Sequence, residues 1–477
     1  MTAAWRFARR EPVLLLLVAL AATAYSLVAV LRHMRYGSHG YDLAIYAQAV
    51  WHYSRFEAPE SSLLYLDNLL GDHFEPIMPL LAPLYWFWAD PRMLLVGQGL
   101  LVAASIVPVY EFCRSRVGRL GAYGYAAGYA LSWPLASGVN FDFHEVAFAP
   151  LLVALAVLFA DRERWRAFWI TFVFLLAVKE NLAVFGIALG LWLALRGEGR
   201  RALITLAVSA VYFLIVTKLV IPHLANGADY AHWTYTQFGS DLPDALVTVA
   251  QDPARVVHYL IDSPVKVKTM AYLLVPFLMS ALYSSLLVLM APLILQELLS
   301  ADPLFWGTGF HHWLIIAPLL PMAAADGLRN VMTLTGRRDL LPAVGAAAGL
   351  VILLGNFTLA DRFPLAQLKV RQYYDVGLGF DGIAARAVAK VPGGASVAAQ
   401  DNMTPHLADR DEIYEISEGM PAVDYIVADL GGLGGYSFPL GYDGIRAVVA
   451  ARRARYETVH EEQGVVVLRR RDLPTER

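Results

Sequence analysis

Apolar runs recur along the first three quarters of the chain, near residues 12–32, 93–112, 120–138, 146–160, 167–178, 182–195, 202–221, 268–282, 283–299, 313–327 and 340–359. A helix crossing a bilayer needs ~20 mostly apolar residues, so the spacing predicts about eleven transmembrane helices, several of them short. The segment Phe74–Trp88 is aromatic and interrupted by Pro, which predicts an interfacial or re-entrant piece. After about residue 360 the pattern changes to charged runs, Gly-rich turns and short β-branched stretches. Ala395–Ala399, Tyr425–Ala428 and Val465–Leu468 read as buried strands, and Tyr442–Arg453 as a helix with apolar Ile445, Val448 and Val449. The expected fold is an all-α polytopic membrane domain over residues 1–360, followed by a small soluble α/β domain over 361–477.

Composition agrees with lipid as the main solvent. Apolar residues make up 57% and charged residues 17%, against roughly 25% charged in soluble proteins, and mean hydropathy is +0.49. A formal charge of -3, with Lys and Arg in short clusters at segment ends, gives no basis for a nucleic-acid partner. The single cysteine, Cys113, excludes an internal disulfide and reads as packing. Asn356-Phe357-Thr358 matches a glycosylation sequon but sits at the end of an apolar run, so it is discounted.

The apolar run after Arg6, Arg9 and Arg10 has spanning length and continues past its small residues, which predicts an uncleaved signal anchor. With eleven spans, that cluster and Arg114/Arg116/Arg119, Arg162/Arg164/Arg166, Arg196/Arg200/Arg201 and Arg329/Arg337/Arg338 share one side. The positive-inside rule makes that side, and the N-terminus, cytoplasmic. The long loops bearing acids and His, and the C-terminal domain, then face outward.

Ionisable residues at the edges of spans are costly and need a partner or a task. Asp42, in Gly40-Tyr41-Asp42, fits either a helix cap or a catalytic carboxylate. Asp72, His73 and Glu75 fit either a helix start or ligands for a divalent cation. Asp142, His144 and Glu145 combine two acids with an imidazole, a set suited to proton transfer or ligation. Lys179 and Glu180 either neutralise each other at a bend, or Lys179 faces a phosphate and Glu180 a sugar or cation. In His311-His312-Trp313, one His is a candidate phosphate donor, and Trp313 a candidate interfacial anchor. All five clusters fall on the same predicted face.

The succession Tyr41-Asp42-Leu43…Gln48, Asp72-His73-Phe74-Glu75-Pro76, Leu81-Ala82-Pro83-Leu84-Tyr85, Phe141-Asp142-Phe143-His144-Glu145 and Lys179-Glu180 resembles a bacterial and archaeal family of predicted membrane proteins known as a domain of unknown function. The stretch Pro392–Val397 with Asn402–Leu407 is similar to that family's C-terminal part. The family in turn looks like the C-type glycosyltransferases, multi-pass enzymes of the plasma membrane that take sugar from a polyprenyl-phosphate carrier. That second likeness is one of fold.

The resemblance implies that Asp42, in the first external loop, is the base for an acceptor hydroxyl. Many such enzymes carry a close acid pair there, whereas Asp42 stands alone, which leaves Asp72/Glu75 as the rival base. Tyr41, Asp72, His73, Glu75, Asp142, His144, Glu145, Lys179, Glu180 and His311 are the expected substrate-binding residues. Asp72, His73 and Glu75 are the candidates for a divalent cation, and no other cofactor is expected. Tyr41, Tyr46, Phe141 and Phe143 are candidate sugar-stacking rings, and Arg35 a further phosphate partner. The expected partners are a polyprenyl-phosphate-linked sugar, membrane lipid, and a cell-envelope glycan, lipid or protein as acceptor. The competing classes are a transporter or channel, since acids also mark ion paths, and a non-catalytic assembly protein. No internal repeat favours the transporter.

Overall fold

The computed structural model describes residues 10–474 apart from 229, 278 and 436. Arg6 and Arg9 of the first basic cluster therefore lie outside the described residues.

Five helical stretches among the described residues are long and apolar enough to cross a membrane: Pro12–Met34, Arg92–Asn140, Gly199–Leu224, His312–Leu334 and Arg338–Ala360. This corrects the expected count of about eleven. The runs at 146–160, 167–178, 182–195 and 283–299 form helices of 13, 12, 14 and 12 residues. At ~1.5 Å per residue these reach at most about 21 Å, short of a ~30 Å hydrocarbon core. Part of their apolar character reflects burial against protein: Val153, Ala154, Ala156 and Val157 are fully enclosed, as are Leu182, Ala183, Phe185 and Leu189, whereas Ile170, Val173 and Leu195 stay exposed. The run at 268–282 is broken, its helix ending at Leu274 and Met279 taking φ 54°. Phe74–Trp88 forms only the short turns Met78–Leu81 and Ala82–Tyr85, as expected of a non-spanning piece.

Arg92–Asn140 holds 49 residues, about 74 Å of helix and more than twice the core thickness. It doubles back. Gly118, at φ 78° and ψ 173°, interrupts the Ile106–Ala130 helix, and near the far ends Gln98 Nε2 donates to the Asp142 carbonyl at 2.7 Å. Beyond the break, Gly121 and Gly124 lie against Gly345 and Gly349 of the Leu341–Ala360 helix. A Cβ on Gly124 would fall 2.3 Å from the Gly349 carbonyl carbon, so these backbones touch directly, as small residues allow between membrane helices.

The arginine-bearing segments meet at one end of the helices. Arg116 bridges Asp161 (2.5 Å) and Asp326 (2.9 Å), Arg162 reaches Glu111 (2.6 Å), Arg196 reaches Asp161 (3.2 Å), and Arg114 and Arg119 flank Glu11. Cys113 is fully buried, as packing predicts, and Asn356 is buried with its amide on the Ile352 carbonyl.

The tail carries a five-stranded sheet: β1 (Val397–Ala399), β2 (Ile413–Glu415), β3 (Tyr425–Asp429), β4 (Tyr456–Glu462) and β5 (Val465–Arg470), in order β2-β1-β3-β5-β4. β1 runs parallel to β2 and β3, while β5 is antiparallel to β3 and β4. Alternate side chains serve two cores. Val397, Ala399, Val427, Val465 and Val467 join the core shared with the helices, whereas Ala398, Ile426, Ala428, Val466 and Leu468 pack with Ile445, Val448 and Val449 of the Gly441–Arg452 helix. β2 and β4 had no expected counterpart; β2 follows the charged run Asp409–Glu412 and β4 is mostly charged or polar.

The tail is seated on the end of the first helix opposite the arginine cluster. The His406 ring is sandwiched between His33 (4.0 Å) and Tyr36 (3.9 Å). Tyr373 donates its hydroxyl to the Val28 carbonyl at 2.7 Å, and Gln48 Nε2 donates to the Arg410 and Asp411 carbonyls at 3.1 and 2.9 Å.

Candidate functional site

After Met34 the chain turns at Tyr36 (φ 61°), is extended at His39, and enters a wide helical turn, Gly40–Ala44, continuous with the helix Ile45–Ser54. Asp42 sits in that turn and caps no backbone amide there. Its carboxylate accepts from His144 Nε2 at 3.0 Å. Burial pushes the Asp42 carboxyl up, but the His144 bond and the charges of His144, His39 and Arg32 bring it below its usual range, so it is ionised at neutral pH.

From Asp42 a continuous series of contacts crosses four loops. Glu145, next to His144, accepts from the Tyr46 hydroxyl at 2.5 Å and lies 2.8 Å from Lys179 Nζ. Glu180, next to Lys179, accepts from His73 Nδ1 (2.8 Å), the Phe74 amide (3.0 Å) and the Tyr230 hydroxyl (2.9 Å). Asp72, next to His73, accepts from His232 Nε2 at 3.0 Å, and the His73 and His232 rings stack at 3.7 Å. Lys179 and Glu180 therefore do not neutralise each other; each is matched by a residue from another loop.

Asp142 is fully enclosed, in a left-handed conformation (φ 56°), held by Arg32 Nη1 (2.5 Å) and the His39 amide (2.9 Å). The His311 ring stacks on His144 at 3.5 Å, beside the Asp42 pair. Tyr41 stands exposed on the rim, edge-on to Phe438. Among these acids only Asp42 and Asp72 keep appreciable side-chain exposure, 23% and 32%; Glu145, Glu180 and Asp142 are enclosed with their partners.

Three expectations are corrected. Glu75 is not grouped with Asp72 and His73 as a candidate ligand, because it is buried within electrostatic reach of Glu145, Lys179 and Glu180. Among the described residues the ligand atoms of Asp72, His73 and His232 converge within 4.8 Å of one another. Trp313 is no interfacial anchor; it is buried, donating its ring N–H to the Gly307 carbonyl at 3.0 Å. Phe143 is fully buried edge-on to Tyr46, which is itself buried, so neither ring is open to a sugar, while Phe141 is half-buried. Arg35 is exposed and donates to the Gln372 carbonyl at 2.5 Å.

The donor set at Asp72, His73 and His232 suits a divalent transition metal such as zinc. Glu180, accepting from His73 Nδ1, fixes that ring with Nε2 as the remaining nitrogen, the arrangement carboxylates impose on metal-binding histidines.

Sequence reasoning missed Arg32, His39, Tyr230, His232, Asp401 and Glu415. Arg32 lies at the end of the first apolar run, His232 lies in a long loop with no motif around it, and Asp401 and Glu415 reach the site only because the tail folds back. Gln400-Asp401-Asn402 at the end of a short strand was the one available signal.

These features define a multi-pass membrane protein with a polar cluster at the end of its helices opposite the arginines. The chain belongs to the family described as predicted membrane protein (DUF2079), which it matches over residues 32–467. A sequence search of curated proteins finds no match. Among solved structures it resembles ArnT from Cupriavidus metallidurans bound to undecaprenyl phosphate, at 12% identity and TM-score 0.57, with 96% of this chain and 98% of that chain covered. ArnT in the apo state gives the same TM-score at 13% identity and the same coverage. An Archaeoglobus fulgidus oligosaccharyltransferase tethered with an acceptor peptide aligns at 13% identity and TM-score 0.47, covering 98% of this chain and 75% of that one. The family read from the motifs is thereby borne out, and the ArnT likeness is one of fold.

Proposed function

We propose that the protein is an integral membrane glycosyltransferase that moves a sugar from a polyprenyl-phosphate donor to an acceptor outside the cytoplasm. The arginine-rich end faces the cytoplasm and the Asp42 end faces outward. Asp42, held by His144, removes the acceptor hydroxyl proton as that oxygen bonds to the anomeric carbon. The bond from that carbon to the phosphate oxygen breaks, and polyprenyl phosphate leaves. Tyr41 contacts substrate at the rim, and His311 braces His144. Lys179, Glu145 and Glu180 hold the loops in register, with Asp142 fixing the turn through Arg32. Asp72, His73 and His232 would hold a divalent cation, which supplies positive charge near a leaving phosphate.

The observation that carries this reading is the state of Asp42: an ionised, partly exposed carboxylate directly after the first span, oriented by an imidazole, on an ArnT-like fold. The test is mass spectrometry of lipids and envelope glycans from cells with the wild-type gene, no gene, or Asp42→Asn at matched protein level. Loss of one glycan with build-up of a polyprenyl-phosphate sugar in both mutants is expected. Unchanged lipids and glycans in a host that normally expresses the protein would refute the reading and favour transport.

A further inference from the structure

We infer that Asp401 and Glu415 of the tail are positioning residues for Asp42, clamping the His39–Gly40 turn so that the base is presented only while the tail is seated. Asp401 grips the turn twice: Gly40 N–H donates to Oδ1 at 2.8 Å, and His39 Nδ1 lies 2.8 Å from Oδ2. Glu415, at the end of β2, closes over the same glycine. A Cβ on Gly40 would fall 2.4 Å from Glu415 Oε1 and 2.5 Å from Thr404 Oγ1, so the contact leaves no room for a side chain.

Glu415 is only 7% exposed, and neither of its carboxylate oxygens has a hydrogen-bond donor among the described residues. The charged and titratable groups facing it are Asp401, Asp42 and Tyr41, with His39 behind Asp401. None of the three that face it directly offers a positive charge, and His39 is already engaged with Asp401. An ionised Glu415 would be buried against two carboxylates, which costs far more than keeping its proton. Protonated, it can share that proton with Asp401 and leave the Asp401 grip intact. Burial and the adjacent Asp401 push the Glu415 carboxyl up to about 10.

The sign of the pH effect follows. A carboxyl that holds its proton when seated and loses it when released binds more protons in the seated state between about pH 4.5 and pH 10, so seating weakens as pH rises through that window. One proton bound differentially corresponds to up to about tenfold per pH unit.

Assigning Asp42 as the object of this clamp rests on the proposed transferase reading, but the clamp itself can be read without substrate. The experiment is hydrogen exchange with mass spectrometry on the full chain in lipid nanodiscs, following peptides that cover residues 37–46 from pH 6 to pH 9, corrected for intrinsic exchange. Wild type should lose protection by up to about tenfold per pH unit. Glu415→Gln, which stays neutral and can still donate to Asp401, should show protection that is flat with pH. Asp401→Ala, which leaves the Gly40 N–H and His39 without that carboxylate, should lose protection by about tenfold or more at every pH. In cells, Asp401→Ala should lower the glycan product toward the Asp42→Asn level at matched protein abundance. Identical slopes for wild type and Glu415→Gln, or full protection in Asp401→Ala, would overturn the clamp. The exchange pattern as described, with Asp42→Asn silent in cells, would uphold the clamp and sink the transferase reading instead.

Discussion

The pair formed by Lys179 and Glu145 gives the sharpest energetic test of the polar series. Lys179 Nζ lies 2.8 Å from Glu145 Oε1, with the Lys179 side chain 13% exposed and that of Glu145 fully enclosed. Removing one partner of such a pair leaves an uncompensated buried charge, which typically costs about 3–5 kcal/mol. Lys179→Met should therefore destabilise by about that amount, because among the described residues Glu145 would keep only the Tyr46 hydroxyl as a hydrogen-bond donor. Glu145→Gln should cost less, about 1–3 kcal/mol, since the amide oxygen can still accept from Tyr46 and Lys179 retains acids within reach. The double variant should cost clearly less than the sum, with a coupling of about 2 kcal/mol within the range known for residues in contact. The assay is equilibrium unfolding of purified protein in mixed micelles for all four forms of the cycle. Additivity within about 0.5 kcal/mol would mean that the two charges are not a pair in the folded protein, and the series of contacts from Asp42 to Asp72 would lose its middle link.

Gly124→Ala should destabilise by about 1–3 kcal/mol in the same assay, because its Cβ would meet the Gly349 backbone, which cannot rotate aside. Equal stability would show that the two helices separate freely there. His232→Ala should weaken zinc binding, measured by calorimetry on metal-stripped protein, by more than the roughly 10–100-fold seen on losing an outer partner of a ligand. Unchanged affinity would remove His232 from the site.

Much of the acidic end was legible because lipid makes charge conspicuous: an Asp, His or Lys beside an apolar run stands out whatever its partner. Asp42, His73, His144, Lys179 and Glu180 were found that way. Their pairings were not legible, since Asp42 and His144 are 102 residues apart and nothing local selects one imidazole over another. Apolar runs were a weaker guide to span number, because Val153–Val157 and Leu182–Leu189 are as greasy as a lipid-facing helix while facing protein. The tail's strands β1, β3 and β5 were visible from their apolar and β-branched residues; β2 was hidden behind the charged run Asp409–Glu412. Asp401 and Glu415 were hidden by the same domain logic that separated the tail from the helices.

The neighbours His144-Glu145, Lys179-Glu180 and Asp72-His73 each send their two side chains to different loops. Like stitches that each pass through two pieces of cloth, every such dipeptide joins two other segments of the chain. A lineage that changes one member would leave two loops loose at once, so these six positions should drift together or not at all. Among relatives, their substitutions are expected to appear as whole sets, with His232 and Asp42 changing in step as the two ends of the seam.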